Sequence, residues 1–151
     1  MLIREANVDD VDAILNLVNG YAAQGLMLSK TPYKIYSTIQ HFFVVEIDSK
    51  VVGCASLNVL WKDIAEICSL AVDNNYKGMG IGSMLVKKCI EKAKKLKVER
   101  VIALTYQDKF FEKMGFVLSN KDKFPRKLWR ECLECPKLEV CDEKAYVYEL
   151  I

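Results

Sequence analysis

With 151 residues, 52% of them hydrophobic and 28% charged, the chain has the length and composition of one globular domain with a single core. A formal net charge of +2 is too small to set up a field that gathers nucleic acid. No apolar run approaches the roughly 18 residues of a membrane span, and Arg4, Glu5, Asp9 and Asp10 do not suit a secretory signal, so a cytoplasmic protein without membrane contact is expected.

Leu2 to Glu5 reads as a short first strand. Asn7 or Asp9 can cap a helix through about Val18, with Val8, Val11, Ile14, Leu15 and Val18 on one face. Gly20 to Lys30 reads as a loop bordering a substrate pocket. Thr31-Pro32 pairs a capping residue with a proline at the first helical position, and that helix is expected to reach about Gln40. Phe42 to Ile47 and Val51 to Leu60 are strands joined by the turn Asp48-Ser-Lys50. Ile64 to Val72 is the next strand. A helix from about Gly80 to Leu96 buries Ile81, Met84, Leu85, Cys89, Ala93 and Leu96. Its lysines, from Lys87 to Lys97, read as a solvated face offset by Glu91 and Glu99, with no interleaved aromatic residues to stack on bases. Val101 to Thr105 is a strand, Asp108 caps a short helix ending at Met114-Gly115, and Phe116 to Leu118 is a strand. Pro125 can start one more short helix, and Tyr146 to Leu150 alternates as a closing strand.

The densest signal is the strand Ile64 to Val72 followed by Asp-Asn-Asn-Tyr-Lys-Gly-Met-Gly-Ile-Gly82 and a helix. Gly78, Gly80 and Gly82 remove side chains that would hold a ligand away from the backbone. The first N–H groups of the helix have no internal partners, and with the positive end of the helix dipole they suit phosphate oxygens. The spacing excludes a Walker loop, which needs Gly-Lys-Ser/Thr. It also excludes a dinucleotide fingerprint, because Ser83 and Leu85 stand where a further glycine is required.

Six cysteines without a signal peptide imply reduced thiols. Cys54, Cys68 and Cys89 lie in apolar stretches and read as small core residues. Cys132, Cys135 and Cys141 cluster near the C-terminus. Cys132-x-x-Cys135 has zinc-knuckle spacing, but a closed site needs four ligands and the one histidine, His41, is distant. Free thiols or a local disulfide are expected, with no metal.

Asn75-Tyr-Lys-Gly-Met-Gly80, preceded by Ala65-Glu-Ile and followed by Phe110-Phe-Glu-Lys-Met-Gly-Phe116, resembles the acetyl-CoA loop and its flanking motifs in the GNAT superfamily of N-acetyltransferases. The family's first loop position is usually Gln or Arg, where Asn75 stands. The resemblance implies one N-acetyltransferase domain over residues 1–151, of α/β (α+β) class, with a mixed central sheet flanked by helices. It implies acetyl-CoA as co-substrate, held by Lys77, Gly78, Met79, Gly80, Ile81 and Gly82, with the backbone of Leu70, Ala71 and Val72 pairing with the pantetheine arm. The Leu70 or Ala71 N–H would serve as oxyanion donor. Lys77 would add a cation near the pyrophosphate, or would be a plain surface lysine. A homodimer is expected from superfamily habit.

Acyl transfer from a thioester to an amine needs a base for the amine, donors for the oxyanion and a proton for the leaving thiolate. By the same resemblance Glu66 is the base, directly or through water; its alternative is an edge carboxylate without a role. Many family members carry a tyrosine where Phe111 stands, and phenylalanine cannot donate a proton. Tyr106 is the substitute candidate for the general acid, against protonation by water, since a thiol of pKa about 8.5 leaves tolerably unaided.

Three segments, Gly25 to Lys30, Leu104 to Phe111 and Phe124 to Cys132 with Cys135-Pro-Lys137, are similar to short, stand-alone amino-acid N-acetyltransferases that make N-acetylglutamate at the start of arginine synthesis. Glutamate carries two carboxylates and needs two placed cations. Lys30, Arg126 and Lys127 are the candidates, with lysine at Lys30 where relatives often have arginine. Another amine acceptor, or a silent CoA-binding module, are the competing readings.

Overall fold

The computed structural model describes residues 1–27, 29–119 and 144–150. Strands β1 (Leu2–Glu5), β2 (Phe42–Ile47), β3 (Lys50–Trp61), β4 (Ile64–Val72), β5 (Arg100–Thr105), β6 (Val117–Ser119) and β7 (Lys144–Glu149) form one mixed sheet in the order β1-β2-β3-β4-β5-β7-β6. The helices are α1 (Val11–Ala23), α2 (Pro32–Thr38), α3 (Ile81–Lys95) and α4 (Asp108–Lys113). All pairings are antiparallel except β4 with β5, whose connection through α3 makes it parallel. The expected α/β class and mixed sheet are present.

Two apolar layers sandwich the sheet. One face packs on α3 through Ile81, Leu85, Val86, Cys89, Ile90 and Ala93, against Val45, Ala65, Ile67 and Val101. The other packs on α1 and α2 through Val11, Ile14, Val18 and Ile35, against Val44, Cys54 and Ala71. In α3 the buried stripe differs from expectation: Val86 and Ile90 are inside, Met84 is half-buried and Leu96 is exposed. The stripe is wider than a single row because a sheet covers more than one ridge of the helix. Gly53 permits the close approach, since a Cβ there would stand 2.7 Å from Ile81 Cγ2.

Local signals set most boundaries. Asn7 caps a 3-10 turn, Val8–Asp10, that leads into α1. Thr31 Oγ1 accepts from Lys34 N at 3.2 Å, with Pro32 at the start of α2. Asp48 and Ser49 both take positive φ, 51° and 64°, the mirror-image turn whose twist suits a two-residue hairpin. Two expectations fail locally. The helix α1 runs through Gly20 to Ala23, where a loop was expected, because Leu17 and Tyr21 continue its inner face. Asp108 is the first residue of α4 and not its cap; Gln107 takes that place without a side-chain bond. The helix expected at Pro125 lies outside the described residues.

Asp10 ties the N-terminal strand to the sheet. Its carboxylate receives both Arg4 nitrogens at 2.8 and 2.9 Å and the Asn7 N–H at 2.8 Å, while Arg4 also reaches Glu46 at 2.9 Å. The Arg4 hydrogen bonds hold the Asp10 carboxyl below its ordinary range, against its burial. A lowered folded pKa means that its contribution is present above the ordinary carboxylate range and is lost as pH falls through the lowered value. Asp10→Asn is expected to cost about 2 kcal/mol near neutral pH and to flatten the acid limb of stability. Urea unfolding of both proteins from neutral to acid pH measures it.

Candidate active site

The site is made by a fork in the sheet. Strands β4 and β5 pair only at Ile64↔Arg100, Ala65↔Val101 and Glu66↔Ile102. Beyond Glu66, β5 stays with β7 as far as Thr105↔Lys144, and no described strand covers the outer edge of β4. Glu66 therefore stands at the apex of the opening, in the last paired register.

Opposite Ala55, strand β4 carries an extra residue: Ser56 pairs with Cys68 and Cys54 with Ala71, so Ser69 and Leu70 share one position. Ser69 takes φ 55°, as a bulged residue can. Two side chains of β3 bind carbonyls at this kink: Ser56 Oγ donates to Cys68 O at 3.2 Å and the Cys54 thiol to Ser69 O at 3.4 Å. The bulge inverts the alternation of side chains. Ala65 and Ile67 face α3 before it, whereas Leu70 and Val72 do so after it and Ala71 faces α1. Glu66, out of phase with Ala65 and Ile67, is on the α2 face.

There it lines a cavity of about 180 Å3 with Lys30, Lys34, Thr38, Ser56, Asn58, Cys68 and Ser69 among its walls. Lys30 is fixed by its backbone, since its N–H donates to Asn19 Oδ1 at 3.0 Å and its carbonyl accepts from Asn19 Nδ2 at 3.2 Å. The structure thus brings the sequence candidates Glu66 and Lys30 together. It adds Lys34, Asn19, Ser56 and Asn58, which the linear pattern did not single out. Only a polar asparagine within the α1 stripe and the alternation of β3 hinted at them. Cys68, expected in the core, is on the cavity wall. Cys54 and Cys89 are buried, and burial pushes both thiols up to about 12, so they stay protonated.

The glycine loop lies at the N-terminus of α3. Met84 N donates to Gly80 O at 3.0 Å as an early helical bond, so the N–H groups of Ile81, Gly82 and Ser83 precede the helical ladder. Gly78 and Gly80 have φ 83° and 80°, and a Cβ built on either meets nothing within 4 Å. That is open space over a backbone only glycine adopts readily, as close approach of a phosphate requires. No acidic residue stands in the first turn of α3. Lys77 Nζ is 5.2 Å from the centre of the Tyr21 ring.

Tyr21 also bears on the expected pairing of Leu70, Ala71 and Val72. Its hydroxyl donates to Val72 O at 2.8 Å and accepts from Val72 N–H at 3.3 Å. The Ala71 N–H is directed at the Cys54 thiol. A chain pairing with the Val72 N–H must therefore displace Tyr21. Tyr106 is half-buried, just past β5. Phe111 is 4% exposed and stacked edge-on with Phe110 and Phe116 at 5.1 Å, a core residue. Arg126, Lys127, Cys132, Cys135 and Cys141 lie outside the described residues. Among the described ones, no group of three or more metal-ligating side chains comes together, and no helix is long and apolar enough to cross a membrane.

Residues 13–116 match the acetyltransferase (GNAT) family. The chain belongs to that family. It is an acyltransferase of GNAT type with acetyl-CoA as co-substrate. An uncharacterized N-acetyltransferase of Chlorobaculum tepidum is 38% identical over 148 residues, 98% of this chain and 96% of that protein. An amino-acid acetyltransferase of Mycobacterium tuberculosis is 40% identical over 118 residues, 76% of this chain and 67% of that one. A crystal structure from Mycobacterium tuberculosis, in complex with CoA and NLQ, superposes with a TM-score of 0.87 at 30% identity over the whole of both chains. N-acetylglutamate synthase from Neisseria gonorrhoeae, complexed with coenzyme A and N-acetyl-glutamate, gives 0.90 at 26% identity; the match covers 99% of this chain and 35% of that longer one.

Proposed function

We propose that the protein is a single-domain amino-acid N-acetyltransferase whose acceptor is L-glutamate, an N-acetylglutamate synthase serving the first step of arginine synthesis. The observation that carries this reading is Glu66 at the apex of the fork, facing a small cavity that also holds Lys30 and Lys34. A cavity of about 180 Å3 is small beside the roughly 300–1,000 Å3 of sites for drug-sized ligands and suits an acceptor group of amino-acid size. Two cations in its wall suit the two carboxylates of glutamate and disfavour a polyamine. Arg126 and Lys127 are proposed as further cations of the same site. The named relatives and the Neisseria synthase complex support the amino-acid class.

In this reading acetyl-CoA lies along the outer edge of β4, its pyrophosphate at Lys77 to Gly82, and the amine enters from the α2 face. Glu66 takes the amine proton, directly or through one water. The amine nitrogen attacks the thioester carbonyl, the Leu70 N–H holds the oxyanion, and the thiolate leaves with a proton from Tyr106 or water.

Initial rates with glutamate, glutamine, aspartate and a lysine peptide test the proposal. Glutamine should be poorer than glutamate by roughly ten- to a hundredfold in kcat/KM, because one charge-assisted hydrogen bond is lost and a cation stays unpaired. Aspartate should fail because its shorter chain cannot bring both carboxylates and the amine into register. Lys30→Ala and Arg126→Ala should each erase most of the preference with CoA affinity intact. A protein that ignores glutamate and acetylates the peptide overturns the reading.

A further inference from the structure

His41, the chain's single histidine, follows α2 at the start of β2 and is 17 residues from Asn58, yet its Nδ1 lies 2.8 Å from Asn58 Oδ1. Nδ1 can donate to an amide oxygen or, in the other tautomer, accept from an amide NH2, so the rest of the hydrogen-bond chain decides the direction. The other end of the amide, Asn58 Nδ2, donates to Ser56 Oγ at 3.3 Å, and Ser56 donates to Cys68 O. With its proton on Cys68 O, the Ser56 hydroxyl can only accept from Asn58, which turns the amide donor toward the cavity wall and its oxygen toward His41, where the Nδ1–H tautomer matches it. Asn58 is the cross-strand partner of Glu66, so the two side chains stand side by side on one face.

We propose that Asn58 is a specificity-determining residue, its second Nδ2–H donating to a carboxylate oxygen of the acceptor amino acid, and that His41 is the positioning residue that keeps this donor turned inward. The proposal rests on the reading of the cavity as the acceptor site. Its physical content is a choice of sign. With Glu66 already anionic beside it, an amide turned the other way would present a second oxygen and repel a substrate carboxylate. The Ser56 hydroxyl makes that flip unfavourable, because its proton is committed to Cys68 O and a flipped amide would set oxygen against oxygen, while also obliging His41 to move its proton off Nδ1.

Four variants are measured by calorimetric titration of glutamate onto the CoA complex, by KM and kcat, and by CoA affinity as the control for folding. Asn58→Ala should raise KM and Kd for glutamate roughly tenfold with kcat and CoA affinity little changed. Asn58→Asp should raise them further, by placing a carboxylate where the donor stands. His41→Ala should reproduce much of the Asn58→Ala effect. His41→Asn, which can offer an amide N–H near the position of Nδ1, should restore most of the affinity, an outcome that loss of packing alone does not give. His41 is exposed, so its pair of variants remains informative if Asn58→Ala does not fold. Unchanged glutamate affinity in Asn58→Ala and His41→Ala, with Lys30→Ala still weakening it, overturns the role of Asn58 alone. Unchanged affinity in all three removes the acceptor from this cavity and with it the proposed function. Weakening by His41→Ala that His41→Asn does not repair overturns the positioning role.

Discussion

Glu66→Gln is expected to lower kcat by roughly a hundredfold or more near neutral pH while leaving CoA affinity unchanged. The amine of an amino acid is largely protonated at that pH, and an ammonium has no lone pair to attack with. Glutamine keeps the size and hydrogen-bonding reach of the glutamate but cannot take the proton. The side chain stands on the α2 face, with Lys30 and Lys34 along the same cavity, whereas the glycine loop is at the N-terminus of α3 and none of residues 77–82 lines that cavity. Loss of the base should therefore separate chemistry from cofactor binding. Raising the pH should recover part of the rate as free amine accumulates. Thiol release followed across pH, beside calorimetric titration with CoA, measures both quantities. A variant with the wild-type pH profile and rate means that the amine is deprotonated elsewhere.

The second large effect is expected at the loop. Gly80→Val should weaken CoA binding by several kcal/mol, which is at least a hundredfold in Kd, for two additive reasons. At φ 80° a β-branched residue is strained, so the loop must leave the conformation that exposes its N–H groups. Any side chain that stays fills the open space above the backbone, where a phosphate would otherwise touch it. Gly82→Ala is the companion variant: its φ is ordinary and its Cβ would meet the Phe110 ring at 3.3 Å, a contact inside the protein. It should disturb packing more than binding. A folded Gly80→Val protein with unchanged CoA affinity would move the pyrophosphate away from this loop.

Much of the molecule is legible from the chain because it depends on neighbours in sequence. Apolar runs bounded by turn residues gave β2, β3 and β4 nearly to the residue, Thr31-Pro32 marked the start of α2, and Gly78-Met-Gly80 marked a backbone of positive φ open to close approach. Each rests on the φ preference or the periodicity of a few consecutive residues. Glu66 was identifiable because a family pattern surrounds it, but what it faces was not. The fork beside it arises where β5 leaves β4 for β7. The bulge at Ser69 turns the strand's faces over, and so decides that Ala71 faces α1. Neither feature has a local sequence mark. The Tyr21 hydroxyl reaches Val72 across 51 positions and His41 reaches Asn58 across 17. Lys34 enters the site only because α2 packs over β3. These relations are set by strand register and by the packing of helices on the sheet, where energies are summed over the whole core, so tertiary structure alone decided them.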